Sequence, residues 1–183
     1  MTMEKISVFC GSSYGNDAQV KQDIKDLGVL LGKKAACILY GGGLYGHLQD
    51  LMDSVGQAGG RMEALISPAY FDESEVYPDY VTVIKVRDDE ERIKKFLEAD
   101  AFVVTPGGDG TLAESFFAHN RNLSALFQKS ALKPVIFLDT NGFYTHLKEH
   151  FKQMSRLGYS NEKRQGALHF ETTPQAVITR LWP

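Results

Sequence analysis

Short apolar runs alternate along this chain with stretches whose apolar residues return every three or four positions, the period of a helix face. Residues 6–10 predict a first strand, and residues 17–31 a helix through Val20, Ile24, Leu27 and Leu31, with Gly32 to stop it. A second strand is expected at 37–40, a helix carrying Leu48, Leu51, Met52 and Val55 at 47–56, and a third strand at 64–66. Residues 67–79 are acidic and hold two prolines and several aromatics. They predict an ordered loop near a site, because long structureless loops in compact domains are usually functional or mobile. Strands at 81–86 and 101–105 flank a short charged helix at 88–98. A helix at about 112–127 and a strand at 134–138 follow, then an Asn141-Gly142 turn and a helix at 144–157. Residues 158–166 are polar and irregular, and His169-Phe170 predicts a last short strand. Thr173 as N-cap before Pro174 opens a closing helix with Val177, Ile178 and Leu181.

This order is the α/β signature: a mostly parallel sheet with helices on both faces. No repeat or low-complexity linker divides the chain, so residues 1–183 are expected to make one domain. In such sheets ligands bind beyond the carboxyl ends of the strands. Three glycine-bearing loops follow predicted strands there: Gly11-Ser12, Gly41 to Gly46 with Gly42 and Gly43 at its centre, and Gly107 to Gly110. All three should collect along one edge. None is a Walker A loop or a good dinucleotide fingerprint, which disfavours an NAD enzyme.

The richest stretch is Pro106-Gly107-Gly108-Asp109-Gly110-Thr111-Leu112-Ala113-Glu114, between a predicted strand and a predicted helix. Glycines allow close backbone approach to a ligand, and free N–H groups at a helix start suit an anion. Thr111 adds a hydroxyl, and Glu114 falls about one turn further on, so its carboxylate can reach the same mouth. A phosphate cradle beside a carboxylate suits a nucleotide or sugar phosphate with chemistry at an adjacent carbon. The plainer reading is a tight turn that only needs glycine, with Glu114 a carboxylate favouring the helix dipole.

Bulk composition narrows the class. Hydrophobic content of 43% and charged content of 23% are ordinary for a soluble globular protein. A net charge of -3 with scattered lysines gives no footprint for nucleic acid. No apolar stretch is long enough to span a membrane, and the first residues carry no secretory core, so a cytoplasmic setting is expected. Cys10 and Cys37 lie at or in predicted strands as small buried thiols, and no metal-ligand spacing occurs.

In this order the three loops resemble the LOG family, the cytokinin riboside 5′-monophosphate phosphoribohydrolases, many of which carry an older lysine decarboxylase label. The resembling residues are Val8 to Ser13, Tyr40 to Gly46, Pro106 to Glu114, Lys133-Pro134-Val135 and Asn141 to Tyr144, nearly the whole chain. The resemblance implies a Rossmann-like three-layer fold, typically a homodimer, with no cofactor and no metal. It implies hydrolysis of the N-glycosidic bond of a nucleoside 5′-monophosphate to free base and ribose 5-phosphate. Glu114 and an arginine would be the catalytic pair. Gly11, Ser12, Gly42, Gly43, Gly107, Gly108, Asp109, Gly110 and Thr111 would bind the phosphate and substrate. Arg92 is the natural match for the arginine, with Arg87 as the fallback. Arg92 lies one residue nearer the strand than the family pattern, and Ile93 stands where a lysine is usual. A bland reading makes Arg92 part of a solvated charged helix. His47 and Gln49 also depart from the family's Gly-Leu-Met-Gly, Ala113 replaces the first of two glutamates, and the usual Trp after Glu114 is absent. His47 could face the site but reads as a structural substitution. Phe116, Phe117 and Tyr144 read as core or dimer interface. A decarboxylase would need a pyridoxal-binding lysine, and no lysine here has a motif to nominate it.

Overall fold

A computed structural model describes residues 3–183. The chain runs β1 (Lys5–Phe9), α1 (Ala18–Gly32), β2 (Cys37–Tyr40), α2 (Gly46–Gln57), β3 (Met62–Ile66), β4 (Val81–Lys85), α3 (Asp89–Phe96) and β5 (Ala101–Val104). It continues with α4 (Asp109–Phe127), β6 (Val135–Leu138), α5 (Thr145–Arg156), α6 (Glu162–Gln165), β7 (Leu168–Glu171) and α7 (Pro174–Leu181). The strands form one sheet in the order β4-β3-β2-β1-β5-β6-β7. Every pairing is parallel, so the mostly parallel expectation becomes a fully parallel sheet among the described residues.

Alternation along the strands splits the core in two, because successive side chains leave opposite faces. Ile6 and Val8 of β1 join Ile24, Leu27, Leu51, Val55, Val177 and Ile178 on the face covered by α1, α2 and α7. Phe9 instead packs with Phe96, Phe102, Ala118 and Tyr144 on the face covered by α3, α4 and the start of α5. Ser7 also points to that second side, and its hydroxyl donates to the Phe96 carbonyl at 2.8 Å. The result is the three-layer α/β fold that the element order predicted.

Several boundaries move. Helix α4 starts at Asp109 rather than Leu112, with Gly108 as N-cap, because Asp109 in the first turn suits the positive helix end and glycine is tolerated as a cap. Residues 158–166 contain the short α6, capped by the Asn161 side chain accepting from Arg164 N–H. Strand β3 begins two residues early at Met62, in register with Ile38 of β2 and Val81 of β4. The 67–79 segment opens with a 3-10 turn at Pro68–Tyr70.

The strand order reverses between β1 and β5, since β2 lies on one side of β1 and β5 on the other. Loops from both halves therefore diverge at this point and leave a crevice at the carboxyl edge, where open α/β sheets bind ligands.

Candidate active site

Strand β5 delivers the chain into that crevice under tight control. The Tyr144 hydroxyl donates to the Thr105 carbonyl at 2.6 Å, and Tyr144 N–H donates to Asp139 Oδ1. Tyr144 is thus a core residue that anchors the end of the strand. The next residues, Pro106 to Gly108, turn directly into α4, whose first backbone bond runs from Leu112 N–H to the Gly108 carbonyl. The N–H groups of Asp109, Gly110 and Thr111 precede that bond and have no place in the helix ladder. Gly108, Asp109 and Gly110 are exposed while Thr111 is buried, so the amides face solvent on an electropositive helix end.

The other two glycine loops meet the first. Gly46 adopts φ +61°, and a Cβ there would run into the Ser12 carbonyl. Only glycine fits both the left-handed backbone and the close approach, which locks the β2–α2 loop against the β1–α1 loop. Together the three loops border a cavity of about 320 Å³ that also takes in Arg92 and Glu114. Of the residues expected to bind phosphate or substrate, Gly11, Ser12, Gly42, Gly43, Gly108, Asp109, Gly110 and Thr111 line this cavity. Gly107 does not. It lines an adjoining hollow and packs against the Thr111 side chain.

Arg92 reaches the cavity from α3. Its Nε donates to the Leu65 carbonyl at 2.9 Å and its Nη1 to Glu114 Oε1 at 3.0 Å. The guanidinium also lies over the Phe96 ring, 5.0 Å from its centroid. With side chains only 17% and 15% exposed, Arg92 and Glu114 form a largely buried ion pair. The solvated-face reading of Arg92 therefore fails, although its helix neighbours Glu90 and Lys94 do remain in solvent. Arg87 is excluded from the cavity: it is 80% exposed and pairs with Glu91 of its own segment at 3.0 Å. Asp88 caps α3 by accepting from Glu91 N–H, and Arg92 in the first turns of that helix reaches the Leu65 carbonyl of β3.

Burial pushes the Glu114 carboxyl above the ordinary glutamate range, and the Arg92 charge beside it opposes part of that rise. Cys10 also borders the cavity, but burial raises its thiol to about 12, so it stays protonated and is no nucleophile. His47 lies in the adjoining hollow, edge-on to the Tyr14 ring, and burial lowers its pKa so that it remains neutral. That agrees with a structural place rather than an acid–base one. Phe116 and Phe117 are exposed on α4 and are not core.

Glu75, Tyr45 and Tyr70 line the cavity without having been expected there. The signal for Tyr70 and Glu75 was the acidic, aromatic character of the 67–79 loop, and for Tyr45 its place in the second glycine loop. Nothing in the local pattern said which side chains would turn inward. Among the described residues, no group of three or more His, Cys, Asp or Glu is arranged to hold a metal ion, and no helix is long and apolar enough to cross a membrane.

A family model described as "Possible lysine decarboxylase" matches residues 48–181. The chain belongs to this family, the LOG family. Among the LOG relatives is the cytokinin riboside 5′-monophosphate phosphoribohydrolase LOG5 of Arabidopsis thaliana, 32% identical over 146 residues, 79% of this chain and 62% of the relative. A second is the "Probable cytokinin riboside 5′-monophosphate phosphoribohydrolase LOG4" of Oryza sativa subsp. japonica, 30% identical over 96% of this chain and 75% of its own length. The chain thus spans between three-fifths and three-quarters of these two proteins. Solved structures share the fold. The molybdenum cofactor carrier protein of Chlamydomonas reinhardtii superposes with a TM-score of 0.67 at 20% identity, covering 98% of this chain and 96% of that one. The molybdenum cofactor binding protein of the phototrophic bacterium Rippkaea orientalis reaches 0.70 at 19% identity, covering 99% and 96%.

Proposed function

We propose that this LOG-family chain hydrolyses the N-glycosidic bond of a purine nucleoside 5′-monophosphate, releasing the free base and ribose 5-phosphate. The observation that carries the reading is the Arg92–Glu114 pair, held at 3.0 Å beside the unpartnered amides that open α4. The amides and the helix end take the 5′-phosphate. Glu114, one turn along the same helix, then lies beside C1′. As the C1′–N bond lengthens, its electron pair leaves with the base and positive charge builds on the ribose. A carboxylate stabilises that charge and draws a proton from the water whose oxygen attacks C1′, while the departing base nitrogen takes up a proton from solvent and Glu114 later returns its own to water. Its raised affinity for protons makes it a better base than a solvated glutamate. Arg92 keeps it ionised and holds it in place, with one nitrogen on the Leu65 carbonyl and one on Glu114.

Binding at the remote phosphate positions the sugar, so a nucleoside lacking phosphate should lose turnover as well as affinity. The decarboxylase label finds no support in the cavity, since no lysine lines it and amino-acid decarboxylation through pyridoxal needs a Schiff-base lysine.

Residues 1–183 act as one LOG-like unit in this reading, in a reducing cytoplasmic setting. That unit pairs as a homodimer through the exposed stripe Phe116, Leu123 and Phe127 of α4, whose spacing puts all three on one helix face. Sedimentation at the single-chain mass at micromolar concentration would count against the dimer.

The test of the activity is incubation of the pure protein with a panel of nucleoside 5′-monophosphates, following free base and ribose 5-phosphate. Release of both is expected. Tight nucleotide binding without base release would favour a binding protein of the same fold, a reading that Ile93 in place of the family lysine motivates.

A further inference from the structure

Besides Glu114 and Asp109 at the start of α4, the cavity holds a third carboxylate, one for which hydrolysis itself has no use. Glu75 lines the wall formed by the 67–79 loop, together with Tyr70 and the neighbouring Tyr45. Tyr77 fastens that loop: its hydroxyl stands 2.8 Å from Glu75 Oε2 and also meets the Gly42 carbonyl. Both partners are acceptors, whereas the hydroxyl has one hydrogen to give. Acceptor capacity on Glu75 is therefore left over, and no ion pair among the described residues neutralises it.

Position along the sheet edge says what this acceptor meets. The start of α4 follows β5, while the Tyr77–Gly42 contact lies at the end of β2, two strand spacings away, about 10 Å. Arg92 spans the same edge, bonded to β3, one strand beyond β2, on one side and to Glu114 on the other. A nucleotide with phosphate on α4 and C1′ at Glu114 extends its base toward β2 and β3. There two tyrosine rings offer apolar faces and Glu75 offers only lone pairs.

We propose that Glu75 is the base-reading residue of this site, selecting purines that present adjacent N–H donors. Guanine offers two, N1–H and the 2-amino group, to one carboxylate. Adenine sets its amino group beside ring-nitrogen acceptors that a carboxylate repels. A glutamine, which carries both a donor and an acceptor, suits adenine better, as amide side chains do in DNA recognition. The inference rests on the phosphoribohydrolase reading for the direction in which the nucleotide lies.

The experiment compares GMP with AMP in the wild type and in Glu75→Gln. It reads kcat/KM from base release and, in proteins that also carry Glu114→Gln to slow the chemistry, Kd from calorimetry. The wild type should favour GMP, and Glu75→Gln should move the GMP:AMP ratio toward AMP by about tenfold or more, the scale of specificity carried by a few contacts. Glu75→Ala, a second variant on the same surface loop, should bring the ratio toward unity. A ratio that stays within twofold of wild type in both variants, or a wild type that prefers AMP, overturns the assignment while leaving the hydrolase reading intact. Binding of both nucleotides without base release would instead remove the hydrolase reading, and the Kd ratio then decides Glu75 alone. Binding of neither nucleotide removes both.

Discussion

Glu114 and Arg92 show how much a single pair of side chains changes the meaning of a motif. A glutamate in the first turns of a helix is common, and by itself it favours the dipole and nothing more. Here it is pulled out of water and set against a guanidinium whose Nε is already committed to the Leu65 carbonyl. The carboxyl titrates above the ordinary glutamate value of 4.5 because burial penalises its charge more than Arg92 relieves it. The proposed hydrolysis needs the ionised form, so activity should be present above the folded-state pKa and be lost as the pH falls through it. The acidic limb of the kcat/KM profile should therefore have its midpoint above 4.5. Glu114→Gln should reduce kcat by about 10² or more, as loss of a general base does, with nucleotide affinity changed only a few-fold. A limb centred below 4.5, or wild-type turnover in the variant, would take Glu114 out of the mechanism.

At the scale of elements, the start of α4 separates a glycine that the packing requires from one that it does not. A Cβ on Gly107 would collide with Thr111, whereas a Cβ on Gly108 meets no protein atom within 4 Å. Gly107→Ala should thus lower the thermal midpoint, since overpacking costs about 1–3 kcal/mol. Gly108→Ala should leave the midpoint nearly unchanged yet weaken nucleotide binding, because its methyl group would enter the open space that the proposed reading gives to the phosphate. Calorimetry of unfolding and of binding distinguishes the two, and unchanged affinity in Gly108→Ala would move the phosphate elsewhere. These elements were largely legible beforehand. Apolar periodicity placed β1, α1, α2, β5 and α7 within a residue or two, because each depends on local pattern and flanking caps. The start of α4 was read three residues late, since glycines look like loop when propensity alone is weighed. The inward turn of Glu75 was not legible, because it depends on Tyr77 reaching Gly42 across 35 residues of chain. Arg92 was nominated over Arg87 from the motif, whereas its contact with Glu114 and with the Leu65 carbonyl depends on features of the folded chain.

For the whole molecule, the parallel sheet works as a ruler. Its order puts the end of β1 between the β2 and β5 loops, so segments about 30 to 100 residues apart in sequence come together on one edge. In the proposed reading, phosphate, sugar and base lie in turn along this edge: the anion at β5 and α4, the scissile bond at Glu114 and Arg92, and the base at β2 and the 67–79 loop. The same layout in solved structures at about 20% identity shows that the fold outlasts its side chains, so what this edge does depends on the few residues that line it. The measurement that bears most directly on this arrangement is a crystal structure of Glu114→Gln with a purine nucleoside 5′-monophosphate bound. The phosphate should lie on the amides of Asp109 to Thr111, with residue 114 facing C1′. A nucleotide bound with its phosphate away from α4, or with residue 114 turned away from the sugar, would contradict the account.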